Sequence, residues 1–227
     1  WALLLARCAG EEDVLFGATV AGRPAELEGV EKMVGLFINT LPVRVQAPAG
    51  ERVGAWLQRL QAEQAEARQY EHTPLVRVQG WSDVPRGTPL FETLLVFENY
   101  PVASAGEERR GGGLQVRGLR AVERTNYPVT LVVVPGERLG LRVFYDDTRF
   151  DLASIERMTG HLRHILGSIA RSPGRQVAEV EWVTPEDRAQ IEAWYATDRE
   201  YPSGLSLHEL IEAQVERTPG ATALVAG

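Results

Sequence analysis

A single cysteine, no long apolar run and no surplus of positive charge mark this sequence of 227 residues. One thiol, Cys8, forms no internal disulfide, so a reducing, cytoplasmic compartment is expected. With no activating base near it in sequence, Cys8 reads as a small core residue. No apolar stretch reaches the ~18–20 residues that a membrane-spanning helix needs, so no membrane partner is expected. The 31 acidic residues outnumber 24 basic ones, a net charge of −7, and nothing in that balance points to nucleic acid. Basic residues cluster at Arg109-Arg110 and from Arg117 to Arg124, but glutamates interrupt them, as in a solvated loop.

Self-sufficient catalytic patterns are missing as well. There is no Gly-x-Ser-x-Gly elbow, no Cys-x-x-Cys pair and no phosphate loop. The triple glycine Gly111-Gly112-Gly113 precedes no Gly-Lys-Ser/Thr and opens no helix, so it reads as a loop. His161 and His164 share a helix face, yet no third ligand accompanies them; an exposed pair is expected, and no metal site. His208 belongs on the surface of a helix. His72 sits at a helix end, where its charged form would meet the last carbonyls. Asp146, Asp147 and Asp151 gather around Arg149, which can neutralise one of them. Turn formation and capping explain these aspartates better than acid–base chemistry.

What is present is a succession of well-punctuated elements. Val14 to Val20 reads as a strand closed by the turn Ala21-Gly22-Arg23-Pro24, with a polar loop or short helix over residues 25–34. Leu36 to Val45 reads as a second strand. Val53, Trp56, Leu57 and Leu60 recur at helical spacing and predict a long amphipathic helix to about Arg68. Phe91 to Phe97 is an apolar run suited to a strand buried on both faces. Residues 102–124 carry the least pattern. Val129–Val134 and Leu139–Tyr145 flank Pro135-Gly-Glu-Arg138 as a hairpin. Asp151 is placed to cap a helix whose apolar stripe runs Leu152, Ile155, Met158, Leu162, Ile165, Ile169 and stops at Ser172-Pro173-Gly174.

Beyond Gly174 the character changes. Residues 175–183 read as extended, Thr184-Pro185 opens a short helix, and residues 197–204 read as a linker. Ser206-Leu-His-Glu209 is a capping box for another helix, with Leu207, Leu210, Ile211 and Val215 on one face. The rhythm of strand pairs and long helices, without strict βαβ alternation, predicts an α+β sandwich. The opening Trp1 to Arg7 reads as a buried helix entered midway. Residues 221–227 read as a strand without a partner, so both ends look cut from a longer polypeptide.

Asp13-Val-Leu-Phe-Gly-Ala-Thr-Val-Ala-Gly-Arg-Pro24 and Met33-Val-Gly-Leu-Phe-Ile-Asn-Thr-Leu-Pro-Val-Arg44 resemble the second half of nonribosomal peptide synthetase condensation domains. Tyr70-Glu-His-Thr-Pro-Leu75 with Val76 to Trp81, and Asp83-Val-Pro-Arg-Gly-Thr-Pro-Leu90, are similar to the motifs that follow. Phe97-Glu-Asn-Tyr-Pro101 and Thr125-Asn-Tyr-Pro128 fit the same pattern. Residues 204–227 resemble the opening of an adenylation domain. Two departures stand out: Ala21 replaces a frequent serine, and the family's His-His-x-x-x-Asp-Gly signature is absent.

The resemblance implies an α+β, chloramphenicol-acetyltransferase-like (CoA-dependent acyltransferase) lobe, a mixed sheet packed with long helices. It implies a C-terminal lobe over 1–173, a linker over 174–203 and the start of an adenylation domain over 204–227. Its reaction would be amide formation between a donor acyl or peptidyl thioester and an acceptor amine, both tethered to carrier domains. No cofactor would bind this chain directly; phosphopantetheine would arrive on donor and acceptor carriers. Other expected partners are the N-terminal lobe of the same domain and the downstream adenylation domain. The catalytic histidine motif lies outside this sequence, so the fragment alone is expected to be inactive. Thr19, Asn39 and Thr40 would line the substrate tunnel, and Arg23, Arg44 and Arg86 would hold loops or lobes. For Asn39 two roles stay open: a hydrogen bond to the pantetheine arm or its framing loop, or support of the strand–loop junction. A noncatalytic carrier-docking lobe, or an acyltransferase of the same fold using soluble coenzyme A, are the alternatives.

Overall fold

A computed structural model describes residues 1–23, 27–98, 125–198 and 204–225. The basic clusters at 109–110 and 117–124, the triple glycine and Pro24 lie outside the described residues, as do Asn99 to Pro101 and residues 199–203.

The run Val129–Val134, β-branched except at Leu131, forms the strand β4, and five of its six residues are buried. Around it stands a five-stranded mixed sheet containing β1 (Asp13–Val20), β2 (Asn39–Gln46), β3 (Thr93–Phe97) and β5 (Gly140–Tyr145), ordered β2-β1-β3-β4-β5. The outer pairs β1/β2 and β4/β5 are antiparallel. The inner pairs β1/β3 and β3/β4 are parallel. The expected hairpin is present, with its turn over 135–139. On the edge, β2 carries Pro42, which suits a strand with one unpaired side. Helix α3 (Leu75–Trp81) lies beside β2.

One sheet face is covered by α1 (Ala2–Ala9), α2 (Val53–Ala67) and α4 (Leu152–Arg171). Leu4, Phe16, Val45, Trp56, Leu131 and Leu162 meet in its core. Full burial of such side chains stabilises by roughly 1.5–3 kcal/mol each. Polar ends find partners there: the Trp1 indole donates to Thr93 Oγ1 at 3.2 Å and the Trp56 indole to Gln46 O at 2.8 Å. Asp151 caps α4 as expected, its Oδ1 accepting from Ser154 N–H at 2.6 Å.

Residues 172–182 are sewn onto this body. Arg7 donates to Val177 O and Ala178 O at 2.9 and 3.1 Å. Val177 N–H reaches Glu51 O at 2.8 Å, and Glu181 N–H reaches the buried Ser168 Oγ at 3.1 Å. Val177 and Val180 are buried in the core. The described chain divides into two compact units, Trp1–Thr184 and Pro185–Gly227. The second contains α5 (Pro185–Tyr195) and α6 (Leu207–Arg217). The capping box opening α6 forms, with Glu209 accepting from Ser206 N–H at 2.7 Å.

Several expectations are corrected. The second strand begins at Asn39, not Leu36, because the ladder with β1 ends at Val20↔Asn39 and Gly22 turns the chain away. Val34, Leu36 and Ile38 are left exposed. The third strand is not buried on both faces: β3 pairs with β1 only at Gly17↔Leu94 and Ala18↔Leu95, and Phe97 is 56% exposed. Leu152 leaves the buried stripe of α4, at 58% exposed in the first turn. Cys8 is exposed on α1 instead of in the core. Residues 175–183 are not simply extended but contain a 3₁₀ turn at Val177–Glu179. Residues 221–225 form no strand. Helix α3 was not foreseen.

Candidate functional site

The splay between β1 and β3 decides where space opens. After Leu95 the two strands part, while α2 continues past its last core contact. Val53, Trp56 and Leu60 seat the first turns of α2, but residues 61–67 are all exposed, so this half of the helix overhangs the sheet. Between overhang and sheet lies a groove of about 650 Å³. Its floor includes Val20, Leu41, Leu95 and Phe97; its wall includes Gln64, Arg68 and Glu71. An apolar floor under a polar wall suits an elongated, amphipathic ligand.

Two of the recognised segments meet at one end of this groove. Gly22 adopts φ +63°, and a Cβ there would sit 1.7 Å from Phe37 O, so the close approach needs glycine. Arg23 then binds the following loop from within. Its Nη1 donates to Val30 O, its Nη2 donates to Met33 O at 3.1 Å, and its guanidinium lies 4.2 Å from the Phe37 ring centroid. Arg23 thus holds a loop, and it also lines the groove.

Thr19 lines the groove too, and faces Thr40 across the β1/β2 ladder. Asn39, half-buried at the start of β2, uses its amide on the corner between α2 and α3. Nδ2 donates to Glu71 O at 2.8 Å and to Thr73 O at 2.7 Å. The hydrogen bonds made are those of a junction support. They also fix the end of the groove wall.

Arg44 lies elsewhere. It grips Asp13 in a two-pronged ion pair, Nη2 to Oδ2 at 2.6 Å, at the far end of the β1/β2 hairpin. That guanidinium holds the Asp13 carboxyl below the usual carboxylate range. Arg86 is exposed in a turn after α3, outside the groove lining. The six residues therefore do not form one constellation. Thr19 and Arg23 line the groove, Asn39 braces its wall, Thr40 pairs with Thr19, and Arg44 and Arg86 stand apart.

The other candidates resolve into structural roles. Asp146 Oδ1 accepts from Thr148 N–H at 3.0 Å and from Thr148 Oγ1 at 2.6 Å, a turn contact that lowers its pKa. Arg149 pairs with Glu92 at 3.3 Å. His161 and His164 are half-buried, not exposed: His161 meets Trp182 edge-on at 5.3 Å, and His164 Nε2 lies 3.7 Å from Glu181. His72 and His208 are exposed. Among the described residues no group of three or more His, Cys, Asp or Glu is arranged to hold a metal ion.

Gln64, Arg68 and Glu71 were missed in the sequence. One signal was available: the apolar stripe of α2 ends at Leu60 while the helix runs on, which marks a projecting wall.

The profile of the condensation domain matches residues 1–192. A polypeptide of the linear gramicidin synthase of Brevibacillus parabrevis is 49% identical over 99% of this chain, and a second polypeptide of that synthase is 48% identical over 100%. The chain spans 4% of the length of each of these curated relatives. A solved four-domain nonribosomal peptide synthetase, bound to AMP and glycine, superposes with a TM-score of 0.76 at 20% identity, over 98% of this chain and 18% of that one. The expected α+β, CoA-dependent-acyltransferase-like fold is the fold of these structures.

Proposed function

The chain belongs to the condensation-domain family, and on that premise we propose that it is the C-terminal lobe of a peptide-bond-forming domain in a nonribosomal peptide synthetase. Residues 1–173 would form that lobe, 174–203 the connection and 204–227 the opening of an adenylation domain. The synthetase would work in the cytoplasm; no helix among the described residues is long and apolar enough to cross a membrane.

In the proposed reaction the acceptor amine nitrogen attacks the donor thioester carbonyl. The C–N bond forms, the C–S bond breaks, and the thiol leaves with the proton that the amine gives up. Aminolysis of a thioester is intrinsically favourable, so holding two tethered reactants in line supplies much of the acceleration. This chain's share is a wall. The observation that supports this reading is the groove, where the recognised segments around Thr19, Arg23 and Asn39 converge on the overhanging end of α2. No side chain in it forms a nucleophile–base pair. The catalytic histidines belong to the partner lobe, and phosphopantetheine arms bring both substrates from donor and acceptor carriers.

The test is dipeptide formation by the whole module from two loaded carriers. Asn39→Ala removes two donors from the carbonyls of the α2–α3 corner, each worth about 1 kcal/mol. Amide formation is expected to fall roughly tenfold while the module stays folded, since a misplaced wall costs positioning. Undiminished dipeptide formation would remove Asn39 from the tunnel. No dipeptide from the unaltered module would overturn the function itself.

A further inference from the structure

Helix α2 begins on a poor signal. Its N-cap is Arg52, which offers no side-chain acceptor, and no acidic residue stands in its first turn. A cation there also opposes the positive end of the helix dipole. The first amides are nevertheless satisfied, by acceptors from the segment that follows α4. Val53 N–H donates to Arg175 O at 2.9 Å and Gly54 N–H to Pro173 O at 3.0 Å. Arg52 Nη1 reaches Gly174 O at 3.3 Å. The contact is reciprocal: Val177 N–H donates to Glu51 O at 2.8 Å and Ala178 N–H to Ala49 O at 3.0 Å. Residues 173–178 thus form a joint with the start of α2, and Arg7 of α1 fastens it through Val177 O and Ala178 O.

What lies at the other end of α2 gives this joint its reach. The helix has 15 residues, a rise of about 22 Å. Its buried residues, Val53 and Trp56, lie next to the joint, and residues 61–67 project exposed from the body. Beyond them stand the wall residues Arg68 and Glu71, and Asn39 grips the Glu71 and Thr73 carbonyls. A rod seated at one end turns a small displacement there into a larger one at its tip.

Resting on the function proposed above, we propose that residues 173–178 are the positioning element of the groove, setting the pose of its wall through α2. A competing explanation limits them to capping the first turn. The two differ at a distance. A cap protects the first turn alone, whereas a positioning joint also governs the corner between α2 and α3.

The experiment uses the whole module and two variants that loosen the joint from different elements. Arg52→Asp gives α2 its own acceptor for the amides of its first turn, so the helix keeps a cap while releasing residues 173–175. Arg7→Ala frees the segment from α1 without touching α2. Hydrogen exchange is read at Arg68, Glu71 and Thr73, whose amides donate to the carbonyls of Gln64, Arg68 and Tyr70. Both variants are expected to raise exchange there severalfold and to lower kcat for amide formation about tenfold, with KM little changed, because alignment and not binding is lost. Arg52→Lys, which brings no acceptor, restores the unaltered values. Exchange raised only over residues 49–56 and 173–178 overturns the proposal, and so does raised exchange at the corner with kcat unchanged. Absence of amide product from the unaltered module overturns the functional reading alone, and exchange at the corner then still decides whether the joint sets the wall.

Discussion

Gly22 and Gly10 share nearly the same left-handed backbone, φ +63° and +70°, but not the same surroundings. A Cβ at Gly10 meets nothing within 4 Å, whereas one at Gly22 would strike Phe37 O. Gly10→Ala should cost about 1 kcal/mol for the backbone alone. Gly22→Ala should cost about 1–3 kcal/mol more, because the loop bound by Arg23 must move. Denaturant midpoints compare the two, and hydrogen exchange over residues 27–38 should rise only for Gly22→Ala. Asp146 and Asp151 carry a second residue-scale prediction. Hydrogen bonds from Thr148 and Ser154 hold their carboxyls below the usual range. Their folded pKa values are depressed, so their contribution is complete above the ordinary Asp value of ~3.9 and fades as pH falls through the lower folded values. Thermal melts from pH 7 to pH 3 should show that loss, and Asp151→Asn should flatten it.

Among the elements, α4 separates what periodicity can promise from what packing delivers. Leu152 and Leu162 belong to the same predicted stripe, yet Leu162 is 3% exposed and Leu152 58%. Leu162→Ala should cost about 2–5 kcal/mol through the cavity it leaves. Leu152→Ala should stay within about 0.5 kcal/mol, as a surface change. Chemical denaturation of both variants checks the contrast. The elements that could be read directly, β4, β5, α2 and α4, have strong periodicity or explicit caps and turns. The seven residues of α3 have neither: their N-cap is Pro74, without a side-chain cap, and none is buried. The start of β2 was misplaced because Val34, Leu36 and Ile38 alternate like a strand, while pairing depends on where β1 ends. That is a tertiary fact, invisible in the segment itself.

At the scale of the whole molecule, the segment after α4 is part of the body. Val177 and Val180 are 2% and 4% exposed and plug the core, and Arg7 ties the chain beside them. A chain ending at residue 173 should therefore melt well below one ending at residue 184, or lose its cooperative transition; calorimetry decides. The family was legible in ordered motifs, and with it the fold. The groove was not, because it arises from two departures from regularity: strands that part after two pairs, and a helix that outruns its apolar stripe. Asn39 was singled out without its partners, since Glu71 and Thr73 are brought to it only by the α2–α3 corner.

The inner parallel pairing has a consequence for synthesis. Between β1 and its neighbour β3 the ribosome must deliver β2, α2 and α3, so the first hairpin emerges with one edge unpaired. Only when Thr93–Phe97 arrives can that edge close, and β4 must follow before the buried centre exists. At ~5–20 residues per second, that edge waits several seconds. A nascent chain paused in this window exposes strand edges to its neighbours on the polysome. Slow codons belong after β4, not before it.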